Sequence, residues 1–180
     1  LDPDAPSASH CGTCRLCIDA CPTGSIVAPY ELDARVSISY LTIEHRGSLP
    51  VPLEPEMGNH LFGCDICQDV CPFNRPERSS EAGDLALAPR PENENPALED
   101  LAGLDEAGFR ERFLRSAVRR AKFEGFLRNV IVALGNWDEA GAVLLLDRLA
   151  AREDVASNPV LMQTIERARR RARTRTPPPV

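Results

Sequence analysis

Long apolar runs are missing from this 180-residue chain: none approaches the ~18 residues that would suggest a membrane-crossing helix, so no membrane association is expected. The opening residues, LDPDAPSASHCG, hold neither a basic stretch nor an apolar h-region, so nothing addresses the chain for export and the expected location is the cytoplasm. An initiator Met is lacking too, and a cysteine motif begins only ten residues in, which makes a fragment without its N-terminal partner domain the expectation. Histidine is scarce at three residues, and none sits in a motif that demands ligation; His10 and His60 read as solvent-facing or as hydrogen-bond donors behind a metal site. Lysine is nearly absent, Lys122 standing alone among 21 basic residues. No cysteine follows Cys71, although the chain has seven.

What is there divides sharply. The apolar share of 43% is that of an ordinary globular chain, enough for one domain or two small ones. The net charge of −6 hides an internal split: residues 1–80 carry 5 basic and 11 acidic side chains, 81–106 carry 1 and 8, and 107–180 carry 15 and 8. An acidic chain thus ends in a basic third, which leaves a nucleic-acid partner open.

An odd number of cysteines in two tight groups argues against a disulfide scaffold and for metal ligation in a reduced compartment. Cys11, Cys14, Cys17 and Cys21 follow C-x2-C-x2-C-x3-C-P, the spacing with which bacterial-type ferredoxins hold 4Fe-4S clusters. Zinc more often takes paired cysteines at longer separation, whereas three thiolates within seven residues suit a cuboidal cluster. The second group, Cys64, Cys67 and Cys71, repeats the pattern with Leu61 where its first cysteine would fall. If the motifs exchange their last ligands as in ferredoxins, cluster one takes Cys11, Cys14, Cys17 and Cys71, and cluster two takes Cys64, Cys67 and Cys21. One ligand is then wanting.

The expected fold is α+β: a two-cluster ferredoxin-like iron-sulfur domain over 1–75, an acidic Pro-rich linker over 76–106 that wraps rather than packs, and a short α-helical, HEAT-like repeat domain over 107–180. In GFRERFLRSAVRRAKF, Phe109, Phe113, Ala117 and Ala121 fall on one helical stripe with arginines on the others. In FLRNVIVALGN, Leu127, Val130, Ile131 and Leu134 form a second stripe, with Gly135-Asn136 as a stop. DEAGAVLLLDRLAAR and NPVLMQTIERARRRAR complete two helix pairs, the last opened by Ser157-Asn158-Pro159, and the arginine-rich tail reads as a frayed end. Alternation in YLTIEHRG suits a short half-buried strand or loop, with packing the favoured role for Tyr40, Thr42, Glu44, His45 and Arg46.

LDARVSISYLTIEHRG, MGNHLFGCDICQDVCPFN and FLRNVIVALGN, in that order, resemble the C-terminal half of the epoxyqueuosine reductases. The resemblance implies two 4Fe-4S clusters that relay electrons from an external donor to a cobalamin held mainly by an N-terminal domain. It implies reduction of epoxyqueuosine to queuosine in tRNA, with the catalytic acid outside this chain, and a monomer that binds the tRNA anticodon stem-loop through its helical domain. It also implies a cysteine just before Ile-Ser-Tyr as the fourth ligand of cluster two. Ser37 stands there instead: it binds as an alkoxide, the cluster loses that iron, or cluster two is damaged, and all three remain open. For the tRNA the candidates are Arg110, Arg112, Arg115, Arg119, Arg120, Lys122 and Arg128, tempered by Phe123-Glu124 where relatives carry more basic residues. Two other readings compete: a dicluster ferredoxin-type electron carrier serving another reductase, and an RNA-binding helical module with structural clusters.

Overall fold

The computed structural model describes residues 11–74, 90–137 and 141–174. It is mostly helical with one small sheet, in which β1 (Ile26–Ala28) pairs antiparallel with β2 (Glu31–Leu32).

The cysteine half is built from two copies of one tight turn. In α1 (Leu16–Asp19) the residue before the helix, Arg15, has φ −125° and ψ 9°. In α3 (Ile66–Asp69) its counterpart Asp65 has φ −115° and ψ 9°. Each ends on a backbone N–H bonded to two carbonyls, Ala20 to Ile18 and Leu16, Val70 to Gln68 and Ile66. Neither helix buries a residue, so apolar packing does not hold these turns.

Between them lies α2 (Ile38–Ile43), a helix where the alternation in YLTIEHRG had suggested a strand or loop. Its buried residues, Ile38, Leu41 and Thr42, sit at i, i+3 and i+4, so the period that matters is helical. Ile38 and Leu41 close on Leu49, Met57 and Val132 as a small core.

The basic third does not form one helix over 108–123. It forms α5 (Glu106–Arg112), a reversal with Arg115 at φ 62°, and a 3-10 turn over Ala117–Ala121 capped by Ser116. A straight helix of 16 residues would be ~24 Å long. The reversal instead brings Phe109 and Phe113 within 5.0 and 5.2 Å of the Phe126 ring, while Ala117 is left exposed. The stripe therefore reaches the core by folding back, and the packed aromatic rings offset a left-handed arginine.

Helix α6 (Lys122–Asn136) is the axle of the molecule, buried continuously from Gly125 to Gly135. Its apolar stripe, Leu127, Val130, Ile131 and Leu134, is fully enclosed by α4 (Leu98–Ala102), α7 (Gly141–Ala150) and α9 (Pro159–Thr174). Its polar face, Arg128, Asn129 and Asn136, turns to the cysteine half. Gly135 is an ordinary helical residue, not a left-handed stop. A Cβ there would meet the Ala168 backbone at 2.7 Å, so glycine lets α6 and α9 touch.

Two further expectations shift. The segment expected to wrap as a linker contains α4, whose Leu101 and Ala102 are core residues; its residues 76–89 lie outside the described ones, as do 138–140 of the third helix. Asn158 caps α9 at the Val160 and Leu161 N–H groups, as Ser157-Asn158-Pro159 predicts. The arginine tail is not frayed up to Thr174. Arg167 and Arg171 converge on Glu54, a carboxylate with no exposed surface, and Arg169 pairs with Asp147, so these cations fasten α9 in place.

Candidate iron-sulfur centre and nucleic-acid interface

Cys21, Cys64, Cys67 and Ser37 line one cavity of about 350 Å³. They arrive from three elements: Cys21 from the end of α1, Cys64 and Cys67 from the α3 turn, and Ser37 from the start of α2. Thr42 orders the α3 side. Its hydroxyl donates to the Ile38 carbonyl at 2.7 Å and accepts from the Gly63 N–H at 2.9 Å, where Gly63 takes φ 77° immediately before Cys64.

The cysteines sense one another. Burial pushes the Cys67 thiol up, and the charges of Cys64, Cys17 and Cys21 push it further, which places thiols of both motifs in one neighbourhood. Cys21 moves the other way. Burial alone would raise it, but hydrogen bonds from Ser25, Ile26 and Thr23 outweigh burial and bring the thiol down to about 7. Ser25 contributes twice, through its hydroxyl at 3.1 Å and its N–H at 3.3 Å from Sγ. An N–H and an O–H pointed at a sulfur are what a thiolate ligand requires. All seven cysteines are free; Cys11 and Cys14 are exposed, and Cys17, Cys21, Cys64, Cys67 and Cys71 are half-buried.

Among the described residues no three His, Cys, Asp or Glu side chains converge on a point as a single zinc ion would need. A 4Fe-4S cluster takes one thiolate per iron, so its ligands surround a volume rather than a point. The donor set and the cavity fit a cluster.

The remaining residues of YLTIEHRG serve packing. Tyr40 stacks edge-on against His45, and His45 meets the Ser48 carbonyl at 3.0 Å. Arg46 donates to the Ile43 and Arg120 carbonyls, while Glu44 pairs with Arg120. His60 meets the Met57 carbonyl, and His10 lies outside the described residues.

Of the seven basic candidates, Arg110, Arg115, Arg119, Arg120 and Lys122 line a second concavity of about 500 Å³ with Phe109 and Phe123 in its wall. Glu106, its one carboxylate, is paired with Arg110. Arg115, Arg119 and Lys122 have no acidic partner among the described residues. Arg112 points away, to Asn93 Oδ1 and the Glu92 carbonyl.

Arg128 does not belong to this surface. It is 1% exposed and donates to the carbonyls of Leu41, His45 and Gly47, so it has no face for a phosphate. Burial first, then the charge of Arg46, pushes its guanidinium down to about 10, which still leaves it charged near neutrality. Sequence reasoning passed over Ser25, Glu54 and Asn129, and it gave Thr42 a packing role without its hydrogen bond to the Gly63 N–H. The adjacent Arg128-Asn129 inside an apolar run was the available signal for Asn129.

Residues 10–74 match the family described as a 4Fe-4S double cluster binding domain. Over 171 residues the chain is 44% identical to an epoxyqueuosine reductase of Pseudomonas aeruginosa, covering 95% of this chain and 46% of that one. The chain is homologous to the epoxyqueuosine reductases. A solved selenomethionine-labelled epoxyqueuosine reductase superposes with a TM-score of 0.81 at 35% identity, covering 93% of this chain and 43% of that one. Another epoxyqueuosine reductase, solved with an epoxyqueuosine-modified tRNA-Tyr stem loop, gives 0.78 at 32% identity, covering 96% and 44%. This chain spans under half the length of these epoxyqueuosine reductases.

Proposed function

We propose that this chain is the electron-transfer and tRNA-binding part of a cobalamin-dependent reductase that converts epoxyqueuosine to queuosine in tRNA. The observation that carries the reading is the pairing of two like cysteine turns beside a cavity with an arginine-rich concavity in which Arg115, Arg119 and Lys122 have no acidic partner among the described residues. Cluster one is assigned to Cys11, Cys14, Cys17 and Cys71, and cluster two to Cys64, Cys67 and Cys21.

When bound, such clusters supply one-electron relay between a donor and an acceptor. The chain's own contribution is to hold the thiolates, to stabilise Cys21 as an anion through Ser25, and to shield the site with Ile38 and Ile66. Cobalamin is assigned to a domain outside these residues, and no catalytic acid is assigned within them. The cysteine half over 1–75 and the helical half over 107–180, read as HEAT-like with 76–106 between them, work as one body in this proposal. The partner set is an external electron donor, the cobalamin domain and the tRNA anticodon stem-loop, met by a cytoplasmic monomer.

Arg115, Arg119 and Lys122 favour this reading over a plain dicluster carrier, which has no need of an anion-binding concavity. The test has two arms, run anaerobically on the reconstituted chain. Reversible reduction of bound iron and sulfide separates electron transfer from a purely structural role. Salt-dependent binding of an anticodon stem-loop separates the tRNA reading from the carrier; cluster reduction without stem-loop affinity would favour the carrier.

A further inference from the structure

We infer that Ser37 Oγ is the fourth protein ligand of cluster two, giving that cluster three thiolates and one serine oxygen. The inference rests on the iron-sulfur reading above and adds to it the identity of the ligand the cysteine count leaves out.

Three observations converge on Ser37. It lines the same cavity as Cys21, Cys64 and Cys67. It also occupies the N-cap of α2, with φ −67° and ψ 130°, where a serine hydroxyl ordinarily accepts a backbone N–H. Here it makes no capping bond, and no other hydrogen bond to its hydroxyl occurs among the described residues. A half-buried serine at a helix cap that declines its usual partner has a donor atom to spare at the cavity wall.

Its position is fixed from both sides. Ser37 N–H donates to the Ala34 carbonyl at 3.2 Å, closing a 3-10 turn that Asp33 caps through the Arg35 N–H. The Ser37 carbonyl accepts from Leu41 N–H at 2.9 Å, and Leu41 is anchored in the small core. These bonds hold the Ser37 backbone in place at the cavity wall.

Other oxygens around the cavity fit less well. Ser25 and Thr23 are spent on Cys21 Sγ. Asp65 is exposed. Ser39 also lines the cavity but lies inside α2, one residue beyond the buried Ile38, and it serves as the control.

On binding iron the hydroxyl gives its proton to solvent as the Fe–O bond forms, with no change of redox state. Oxygen is a harder ligand than sulfur and favours the oxidised iron, so cluster two takes a lower reduction potential than a four-thiolate version would.

The full chain, reconstituted anaerobically, is compared with Ser37→Ala, Ser37→Cys and Ser39→Ala by iron and sulfide content, EPR before and after dithionite, and redox titration. The parent chain should bind about eight irons and give two reduced 4Fe-4S signals. Ser37→Ala should lose about one iron per chain and show an oxidised 3Fe-4S signal. Ser37→Cys should keep all its irons and raise the potential of one cluster only, and Ser39→Ala should match the parent. A 3Fe-4S signal in the parent, a Ser37→Ala chain indistinguishable from it, a Ser37→Cys chain with unchanged potentials, or iron loss in Ser39→Ala would each overturn the assignment. Absence of sulfide from every variant would sink the iron-sulfur reading itself, and the inference with it.

Discussion

The side-chain amide of Asn129 donates to the carbonyl oxygen of Leu61 at 2.9 Å, across 68 positions of chain. Leu61 is where a second complete cysteine motif would place its first ligand. Its backbone is committed to α6, and its side chain packs against the helical core. The position that would have held a thiolate has become the joint between the two halves. A ligand for cluster two has to come from another direction, and Ser37 stands on the cavity wall.

Asn129→Ala should loosen that joint. The amide also donates to the Thr42 carbonyl at 2.8 Å, so the substitution strands two acceptors at a buried interface. The expected loss is about 2–4 kcal/mol, read from anaerobic urea titrations of the cluster-loaded chain. A loss below about 1 kcal/mol would mean that water replaces the amide and that the joint is wet.

Gly135→Ala opposes two effects on α6. Helix propensity favours alanine by about 1 kcal/mol. The new Cβ would meet Ala168 Cα, a backbone atom with little room to yield, at 2.7 Å, and overpacking of this kind costs about 1–3 kcal/mol. Net destabilisation with a lowered thermal midpoint is expected; an unchanged or raised midpoint would show that α9 can shift away.

Ser25→Ala should retune cluster two and leave cluster one unchanged. Facing a thiolate, the Ser25 hydroxyl must donate, and its 3.1 Å bond to Cys21 Sγ favours the more negative reduced state. Without it the potential of one cluster should fall, while the backbone N–H at 3.3 Å preserves ligation. Redox titration followed by EPR resolves the two clusters, and equal shifts in both would contradict the assignment of Cys21 to one of them.

Arginine substitutions should sort by burial. Arg115→Ala, Arg119→Ala and Lys122→Ala should each weaken stem-loop binding and reduce the salt slope by roughly 0.7–0.9 for every phosphate contact removed. Arg112→Ala should leave the slope unchanged, because its fork is turned to Asn93 and Glu92. Arg128→Ala should lower the folded fraction instead, since three carbonyls lose their donor. Anisotropy across a salt series, set beside a stability measurement, separates these classes.

The sequence by itself determined whatever depends on short spacing. Cysteines three and four residues apart dictate two like turns, Asn158-Pro159 starts a helix, and the Leu127–Leu134 stripe marks its own buried face, because each involves neighbours along one stretch of backbone. The tertiary structure alone decided which arginines are free. Arg119 and Arg128 look alike in a string of letters, yet one lines a concavity and the other is clamped by carbonyls more than eighty positions away. It decided likewise that the Phe109–Ala121 stripe folds back, because the Phe126 ring to which it closes lies beyond its end. Local periodicity cannot report a partner that lies outside its own period.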